Sequence, residues 1–306
     1  MTKKIYADLH NHTIFSDGEL SPEKMVIKAK NIGLKAIAIT DHDTINGLKE
    51  AVEAGKKHNI KVVPGVEISI RFNYSFFTGT LHLLCYFSPK ILKNNNFRNL
   101  LKNNLSKGRG DNLVKIRIEK INKFFGPKGT TPIFLKNITF NEISKYGTNI
   151  TRRHFALALR EKHKIKHEKI INKIIGNKSC AYYPAGIDLK AVQNFIKKFP
   201  VVTVLAHSAA GSFPGNSHYK EVHPDIKIIE KILPELLEFG IDGLEINYPG
   251  HTKKHRKFLL NWAEKYNLIV TGGSDCHDTL NRPLGIEGIS KHEFDKFMNF
   301  LTLKTN

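Results

Sequence analysis

Residues 34–69 read LKAIAITDHDTINGLKEAVEAGKKHNIKVVPGVEIS. A short apolar segment, LKAIAIT, is followed by a helix-periodic segment, INGLKEAVEAGKKHN, and then by a second apolar segment, IKVVPGVEIS. Short segments rich in Val and Ile that alternate with helices are typical of strands in a parallel sheet or barrel. The order of strand, helix and strand therefore indicates an α/β fold.

The same alternation extends on both sides of this stretch. Toward the N-terminus, KIYADL predicts a strand and SPEKMVIKAKNIG predicts a helix. Ser21 has a side chain preferred at an N-cap, Pro22 suits the first helical position, and Gly33 suits the C-terminal end. Toward the C-terminus, GTLHLLCYF predicts a fourth strand.

The pattern changes at about residue 89 and returns at about residue 198. The intervening sequence is basic and helix-periodic, and no strand is predicted there. Beyond it, PVVTVLAH, GIDGLEINY and LIVTGGSDCH predict three strands that alternate with helices. We therefore expect a seven-stranded β/α barrel interrupted by a helical insertion. Its first part would be residues 1–88, the insertion that caps the substrate site residues 89–198, and its second part residues 199–306.

Composition excludes several classes of protein. No stretch approaches eighteen consecutive apolar residues, so a membrane-spanning helix is not expected, and MTKKIYADLH contains no apolar signal-peptide core. Cys85, Cys180 and Cys276 are far apart and odd in number, which argues against a disulfide framework or a thiolate zinc knuckle. We expect a cytoplasmic protein with no membrane partner and no obligate protein partner.

The formal net charge of +20 allows two interpretations. Lysine and arginine bind phosphates by displacing counterions, so the charge is consistent with a polyanionic partner. The many Lys, Asn and Ile residues are equally consistent with a genome-wide composition bias that scatters lysines over solvated helix faces. The sign of the charge agrees with an anionic substrate under either interpretation.

Histidines and carboxylates recur where the predicted strands end, and His82 lies within the fourth predicted strand. In a β/α barrel the C-terminal ends of the strands open onto one face, and residues i and i+2 of a strand point to the same side. We therefore expect these side chains to meet in space. Histidine and carboxylate ligands without cysteine suit Zn²⁺, Mn²⁺ or Fe²⁺. The residues are His10, His12, His42, Glu67, His82, His207, Asp275 and His277.

Six motifs carry a resemblance to a known family. DLHNHTIFSDG, ITDHDT, PGVEIS, LHLLCYF, LAHS and GGSDCHD together resemble the PHP (polymerase and histidinol phosphatase) superfamily of metal-dependent phosphoesterases. In addition, TRRHFALAL resembles a segment of the members that hydrolyse nucleoside 3′,5′-bisphosphates and short oligonucleotides. DGLEINYPGH resembles a stretch that lies near the substrate in those members.

This resemblance implies a distorted (β/α)7 barrel, the PHP fold, that holds three divalent metal ions (Mn²⁺, Zn²⁺ or Fe²⁺). It implies that His10, His12, Glu67 and Asp275 hold the first ion. Glu67 would bridge to a second ion that is completed by His82 and His207. The third ion would be held by Asp17, His42 and His277.

The expected substrate contacts come from the insertion and from the segment after the sixth strand. Arg152 suits bidentate phosphate binding, and His154 could bind phosphate or protonate a leaving group. Asn247, Tyr248 and His251 would lie at the same face, and Tyr248 could stack on a base. Each has a plainer alternative, as a solvated charge or a packing residue. Further anion contacts are expected from Arg109, Arg117 and Arg153.

Other residues near these motifs are interpreted as structural. Asp41 and Asp43 flank a predicted ligand and would orient it or cap the following helix. Cys276 lies between two predicted ligands and would point away as a small buried residue. Two residues depart from the family pattern, because Arg153 and Ser208 stand where the family commonly has proline, which leaves the substrate preference open.

The predicted activity is hydrolysis of nucleotide phosphomonoesters by attack of a metal-bound hydroxide. The leading substrate, which the resemblance implies, is the 3′-phosphate of a nucleoside 3′,5′-bisphosphate. A pocket that keeps a net positive charge favours a phosphomonoester dianion. One alternative is a 5′-to-3′ exonuclease on short RNA or DNA oligonucleotides. A histidinol-phosphate-type phosphatase and a non-catalytic nucleic-acid-binding module are further alternatives. The filled ligand positions argue against the last of these.

Overall fold

The computed structural model describes residues 4–215 and 217–305. Residues 1–3 of the predicted first barrel segment and residues 216 and 306 of the second lie outside these ranges. Seven strands of the described residues form a single sheet. They are β1 (Ala7–Asp8), β2 (Ala36–Ile39), β3 (Lys61–Tyr74), β4 (Phe77–Phe87), β5 (Val201–Leu205), β6 (Gly243–Asn247) and β7 (Ile269–Gly272).

The strands follow one another around a nearly closed barrel in sequence order. β1, β2 and β3 are parallel to one another, as are β5, β6 and β7. The two ends of the sheet meet where the amide of Leu9 donates to the carbonyl of Gly272 at 3.1 Å. Asn11 also forms a parallel bridge with Cys276. The predicted α/β barrel fold is therefore confirmed.

The fourth strand departs from the expected parallel arrangement. β4 is antiparallel to both β3 and β5, and only Ser75 and Phe76 connect β3 to β4. A parallel connection needs a dozen or more residues, which the sequence does not provide at this point. As a consequence β3 continues to Tyr74, and Glu67 lies within this strand instead of at its end.

The helices match the predicted alternation. Helix α1 begins at Pro22, and the Ser21 hydroxyl accepts a hydrogen bond from the amide of Lys24 at 3.3 Å, as expected for an N-cap. Every helix among the described residues is too short or too polar to cross a bilayer. The helices are α1 (Pro22–Asn31), α2 (Leu48–His58), α3 (Asn95–Gly108), α4 (Asp111–Phe125), α5 (Phe140–Ile143), α6 (Arg152–Glu161), α7 (Glu168–Ile175), α8 (Leu189–Ile196), α9 (His218–Val222), α10 (Ile226–Phe239), α11 (Lys253–Lys265) and α12 (Lys291–Thr305).

Two apolar clusters line the two faces of the sheet. Ala36 and Ala38 point into the barrel, whereas Ile37 and Ile39 pack beneath the surrounding helices, because successive side chains of a strand alternate between faces. Phe297 of α12 belongs to the inner cluster, together with residues from the N-terminal ends of the parallel strands. Helix α12 therefore closes one end of the barrel, and the opposite end is left for polar side chains.

The predicted insertion contains helices and no strand between residues 89 and 198. Helices α4 to α7 contribute to an apolar cluster of their own, which includes Phe125, Phe155 and Ile171. The flanking helices α3 and α8 pack instead into the outer cluster of the barrel, through Phe97 and Phe195. Two helices thus join the insertion to the barrel.

The chain returns from the insertion along the edge of β3. The amide of Gly186 donates to the carbonyl of Gly108 at 2.9 Å, and the amide of Ile187 donates to the carbonyl of Ser69 at 3.1 Å. Gly186 has a φ of +109°, and a Cβ atom there would lie 2.4 Å from the Ser69 oxygen. Glycine is required at this position by both its backbone angle and the close approach.

We expect Gly186→Ala to lower the free energy of unfolding by about 3 kcal/mol or more, because strain and a steric clash add. Gly33→Ala is the matched control, since Gly33 has a φ of +85° but nothing within 4 Å of an added Cβ. This control should cost only about 1–2 kcal/mol. Urea denaturation of both variants measures the difference, and equal losses would contradict the proposed close approach.

Candidate metal centre

The nine predicted ligands lie together at the barrel end opposite α12. All except the partly exposed His82 are buried. They come from the segments that follow β1, β2, β5 and β7 and from the adjacent strands β3 and β4. These residues are His10, His12, Asp17, His42, Glu67, His82, His207, Asp275 and His277.

The first group contains His10, His12, Glu67 and Asp275, the set implied for the first ion. One donor atom of each lies within 4.8 Å of the other three. The Nε2 atom of His12 is 3.1 Å from Oε2 of Glu67 and 3.1 Å from Oδ1 of Asp275. The Nε2 atoms of His10 and His12 are 3.2 Å apart. The i and i+2 spacing thus places both imidazoles on one side of the chain.

The second group surrounds the other oxygen of Glu67. Oε1 of Glu67 is 3.0 Å from Nδ1 of His82 and 3.0 Å from Nε2 of His207. These two nitrogens are 3.2 Å apart. His42 also contacts Glu67, with its Nδ1 atom 3.0 Å from Oε2. The two oxygens of Glu67 therefore face different groups of histidines, as a bridging carboxylate would.

The third group contains His12 in addition to the three residues implied for the third ion. Donor atoms of His12, Asp17, His42 and His277 lie within 4.8 Å of one another. Oδ1 of Asp17 is 3.3 Å from Nε2 of His277 and 4.0 Å from Nδ1 of His12. The imidazole of His12 therefore lies between the first group and the third.

The donor set fits a cluster of divalent metal ions. Oδ1 of Asp17, Nδ1 of His42 and Oε2 of Glu67 are buried and make no well-aligned hydrogen bond to a described residue, although each lies 3.0–3.3 Å from an atom of another predicted ligand. Unpaired polar atoms of this kind are costly unless an ion satisfies them. Six imidazoles and three carboxylates without a thiolate match the preferences of Zn²⁺, Mn²⁺ and Fe²⁺.

The local electrostatics keep the carboxylates ionised. Burial alone would raise the pKa of Glu67, but His82, His42 and His10 hold it well below its usual range. Burial raises the pKa of Asp17 and neighbouring histidines lower it; the histidines have the larger effect, so its pKa also lies well below the usual range. Both groups are therefore in the anionic form that binds metal.

The imidazole of His277 is held in its neutral form. Burial, the Arg282 guanidinium and His12 together lower its pKa to about 4, against the opposing charges of nearby carboxylates. A neutral imidazole keeps a lone pair that can bind a metal. The Nδ1–H of His277 donates to the carbonyl of Asp275 at 2.8 Å, which leaves Nε2 facing the third group.

Three residues at the site adopt left-handed backbone conformations. The φ angles are +49° for Asp43, +33° for His207 and +50° for Asp275. Such angles are uncommon for residues with a Cβ atom, and strain of this kind concentrates at functional sites. His207 and Asp275, which follow β5 and β7, are themselves predicted ligands, and Asp43 follows the predicted ligand His42.

Two residues of the sixth-strand region orient ligands. Glu245 contacts Nδ1 of His10 at 2.9 Å and accepts the amide of His207 at 2.9 Å. Glu245 was not among the residues predicted from the sequence, although a charged residue in the apolar strand GLEIN was a usable signal. Tyr248 is fully buried, and its hydroxyl donates to Oδ2 of Asp275 at 2.9 Å. This burial favours the packing alternative for Tyr248 over stacking on a base.

The insertion also supports the third group. The Thr151 hydroxyl donates to Oδ2 of Asp17 at 2.7 Å, and the side chain of Asn149 donates to the carbonyl of His42. Arg109 donates from Nε to Oδ2 of Asp43 at 2.6 Å, next to His42. Arg109 thus positions a neighbour of a ligand, and the insertion fixes two ligands of the third group.

A cavity of about 210 Å³ opens from the metal centre toward the insertion. Arg282 pairs with Asp275 at its base and was not selected from the sequence, although it follows β7 at the same face. Burial, Arg109 and Arg152 lower the pKa of Arg117 to about 9, because cations crowd one another here. The cavity is lined by Arg109, Arg117, Arg152, Arg153, Arg160 and Arg282.

Apart from the further anion contacts of the insertion, one of the predicted substrate contacts lines the cavity, and the others lie outside its lining. Arg152 lines the cavity and donates to Oδ1 of Asn177 at 2.8 Å. His154, Asn247 and His251 do not line it. Nδ1 of His154 accepts the amide of Thr151 at 2.9 Å and caps α6.

His251 has a structural role that accounts for its position. It accepts the amide of Ala209 at 3.1 Å and donates to the carbonyl of Ile246 at 3.0 Å, so both ring nitrogens are used. Two further histidines, His218 and His223, line the cavity although neither was predicted from the sequence as a site residue. The ring centroids of His223 and His207 are 4.1 Å apart.

We expect Glu67→Gln to lose most of its metal, because the change removes a charge shared by the first and second groups. Glu264→Gln makes the same change at an exposed position of α11 and should retain the wild-type metal content. Elemental analysis after dialysis measures the number of ions per chain. Equal metal content in the two variants would contradict a central role for Glu67.

We expect Thr151→Val to weaken the binding of one ion by about tenfold or more, because Asp17 loses its supporting hydrogen bond. Thr80→Val is the matched control, since its hydroxyl lies at the same cavity and donates to the carbonyl of Ala185 at 2.8 Å. Competition with a chelator, followed by metal analysis, separates the ions. The same loss from both variants would refute the role given to Thr151.

Comparison with known proteins gives independent evidence about the function of this chain. Residues 8–117 match the model of the PHP domain. A 5′-3′ exoribonuclease from Haemophilus influenzae is 28% identical over 283 residues, which cover 90% of this chain and 91% of that protein. A phosphoribosyl 1,2-cyclic phosphate 1,2-diphosphodiesterase from Eggerthella lenta is 25% identical over 284 residues, which cover 90% of this chain and 95% of that protein.

A solved structure extends the similarity to the whole fold. A protein from Bifidobacterium adolescentis that is described as a metal-dependent phosphoesterase superposes with a TM-score of 0.73 and is 25% identical. The alignment covers 96% of both chains, so it includes the insertion as well as the barrel. Together with the clustered histidines and carboxylates, these similarities identify the chain as a metal-dependent phosphoesterase that contains a PHP domain at residues 8–117.

Proposed function

We propose that this phosphoesterase removes the 3′-phosphate of nucleoside 3′,5′-bisphosphates, with the nine predicted ligands holding three divalent ions. The observation that carries the proposal is the cavity, which is lined both by candidate metal ligands and by arginines of the insertion such as Arg117 and Arg152. A substrate with two phosphates would place the reacting phosphate at the metal centre. Its second phosphate would lie beside these arginines.

The residues around the metal centre would orient the reacting phosphate. When bound, divalent ions supply positive charge to phosphate oxygens and lower the pKa of an attacking water. Arg282 lies beside Asp275 and lines the cavity, so its remaining N–H groups can donate to a phosphate oxygen. Donors that are fixed in place before the reaction stabilise the charge that develops in the transition state.

Arg152 and Arg117 are the proposed contacts of the second phosphate. The guanidinium of Arg152 lies 5.6 Å from the ring centroid of Tyr182, which restricts its orientation. Arg117 donates only to the carbonyl of Tyr183, at 3.1 and 3.0 Å. Neither arginine pairs with a carboxylate in the described part of the chain, so a bound phosphate would supply the missing negative charge.

A 5′-to-3′ exonuclease acting on short oligonucleotides is the second candidate function. Arg152, Ala156 and Arg160 line the cavity from one side of α6, at positions i, i+4 and i+8. At a rise of about 1.5 Å per residue they extend the cavity by about 12 Å toward the surface. The similarity to a 5′-3′ exoribonuclease over nine-tenths of the chain supports this candidate as well.

A release assay distinguishes the two candidates. Nucleoside 3′,5′-bisphosphates, short 5′-phosphorylated RNAs and histidinol phosphate are incubated with the Mn²⁺-loaded enzyme, and products are identified by mass spectrometry. The bisphosphatase proposal predicts inorganic phosphate and a nucleoside 5′-monophosphate. Mononucleotides released from RNA would support the exonuclease. Turnover of none of these substrates would contradict both.

We expect Arg152→Gln to raise KM for a nucleoside 3′,5′-bisphosphate by about tenfold, because a charged hydrogen bond to the second phosphate is worth about 1.5–3 kcal/mol. KM for a nucleoside 3′-monophosphate should change little, since this substrate has no second phosphate. Steady-state kinetics on both substrates provides the comparison. An equal rise in both KM values would place Arg152 at the reacting phosphate instead.

A further inference from the structure

The positive charge of the chain lies almost entirely in the predicted insertion. Residues 89–198 contain 25 Lys and Arg residues and 6 Asp and Glu residues, a net charge of +19. The other 196 residues contain 23 Lys and Arg residues and 22 Asp and Glu residues, a net charge of +1. A genome-wide composition bias would raise the charge of both parts. The asymmetry therefore favours a polyanionic partner for the insertion.

One stretch of the insertion lies at the mouth of the cavity. We call residues 160–173, which read REKHKIKHEKIINK, the basic rim. It contains six cations and two carboxylates, and the side chain of Glu168 pairs with Arg160 at 2.5 Å. Its lysines are exposed, and none forms an ion pair with another described residue. These lysines are Lys162, Lys164, Lys166, Lys169 and Lys173.

The basic rim is continuous with the arginines inside the cavity. Arg160 and Glu168 belong to the rim and also line the cavity. Arg152 lines the cavity two turns earlier on the same side of α6, closer to the metal centre. Cationic side chains therefore extend from the buried Asp275 to the exposed lysines. A flexible polyanion could contact them along its length.

We propose that the basic rim is a docking surface for single-stranded nucleic acid whose end enters the cavity. The direction of entry rests on the proposed function, because it requires the scissile phosphate at the metal centre. A cavity of about 210 Å³ has room for a chain end and not for a duplex. Lysines on flexible stems bind backbone phosphates without reading sequence, so the surface accepts many sequences.

Fluorescence anisotropy on the metal-loaded protein tests the docking surface. The probe is a hydrolysis-resistant phosphorothioate oligonucleotide of about twelve nucleotides, and a dinucleotide serves as the short comparison. We expect the longer probe to bind at least tenfold more tightly. Its log Kd should rise with log salt concentration by about 0.7 for each phosphate contact. Equal affinity for the two lengths would overturn the proposal.

A triple variant localises the surface. Lys166→Gln, Lys169→Gln and Lys173→Gln together should raise Kd for the longer probe about tenfold and lower the salt slope by about 2. The matched control replaces three other exposed lysines, Lys35, Lys56 and Lys61, near the opposite end of the barrel. This control should leave Kd within about twofold of wild type. Equal weakening by both triple variants would overturn the proposal.

Two further measurements separate the possible failures. A glutamate peptide of the same charge should compete poorly with the oligonucleotide, and equal competition would overturn the assignment to nucleic acid. Turnover of small phosphomonoesters by the wild-type enzyme tests the proposed function by itself. Rim-dependent binding without turnover would leave the docking surface standing and refute the proposed function. Turnover without rim-dependent binding would support the proposed function and refute the docking surface.

Discussion

The buried carboxylate of Glu67 imposes the main constraint on this structure. An ionised group away from water costs several kcal/mol unless partners surround it. Glu67 lies within β3, where it pairs with Leu84 of β4 on one side and donates its amide to the carbonyls of Thr40 and Asp41 on the other, so its backbone is held from both edges. Its oxygens lie 3.0–3.3 Å from nitrogens of five histidines, His10, His12, His42, His82 and His207. Each histidine is also a predicted ligand.

The sequence was informative about the barrel and about which residue types meet at its open end. Strand-end positions follow from a local pattern, and the i and i+2 rule brings His10 and His12 together without knowledge of the fold. The β3–β4 hairpin was missed because parallel and antiparallel buried strands have similar apolar sequences. Glu67 was consequently expected at a strand end, although its place among the ligands depends on the register with β4.

Substrate contacts were harder to predict, for a physical reason. A ligand role needs only a donor atom at a strand end, whereas a cavity-lining role depends on rotamers and on the packing of distant elements. His154 and Tyr248 lie in the expected segments, but a helix cap and a hydrogen bond to Asp275 use their polar atoms. Arg282 comes from a loop with no periodicity, and only the structure relates it to Asp275.

The insertion contributes to both halves of the site, which links metal binding to substrate binding. Thr151 contacts Asp17, and the adjacent Arg152 lines the substrate cavity. Arg153 stands where the family commonly has proline and contacts Asp278 at 3.2 Å, next to the candidate ligand His277. A shift of α6 would therefore move a substrate contact and a metal-supporting contact together. The ion pair of Arg153 fixes α6 to the barrel through charge, where proline would restrict only the local backbone.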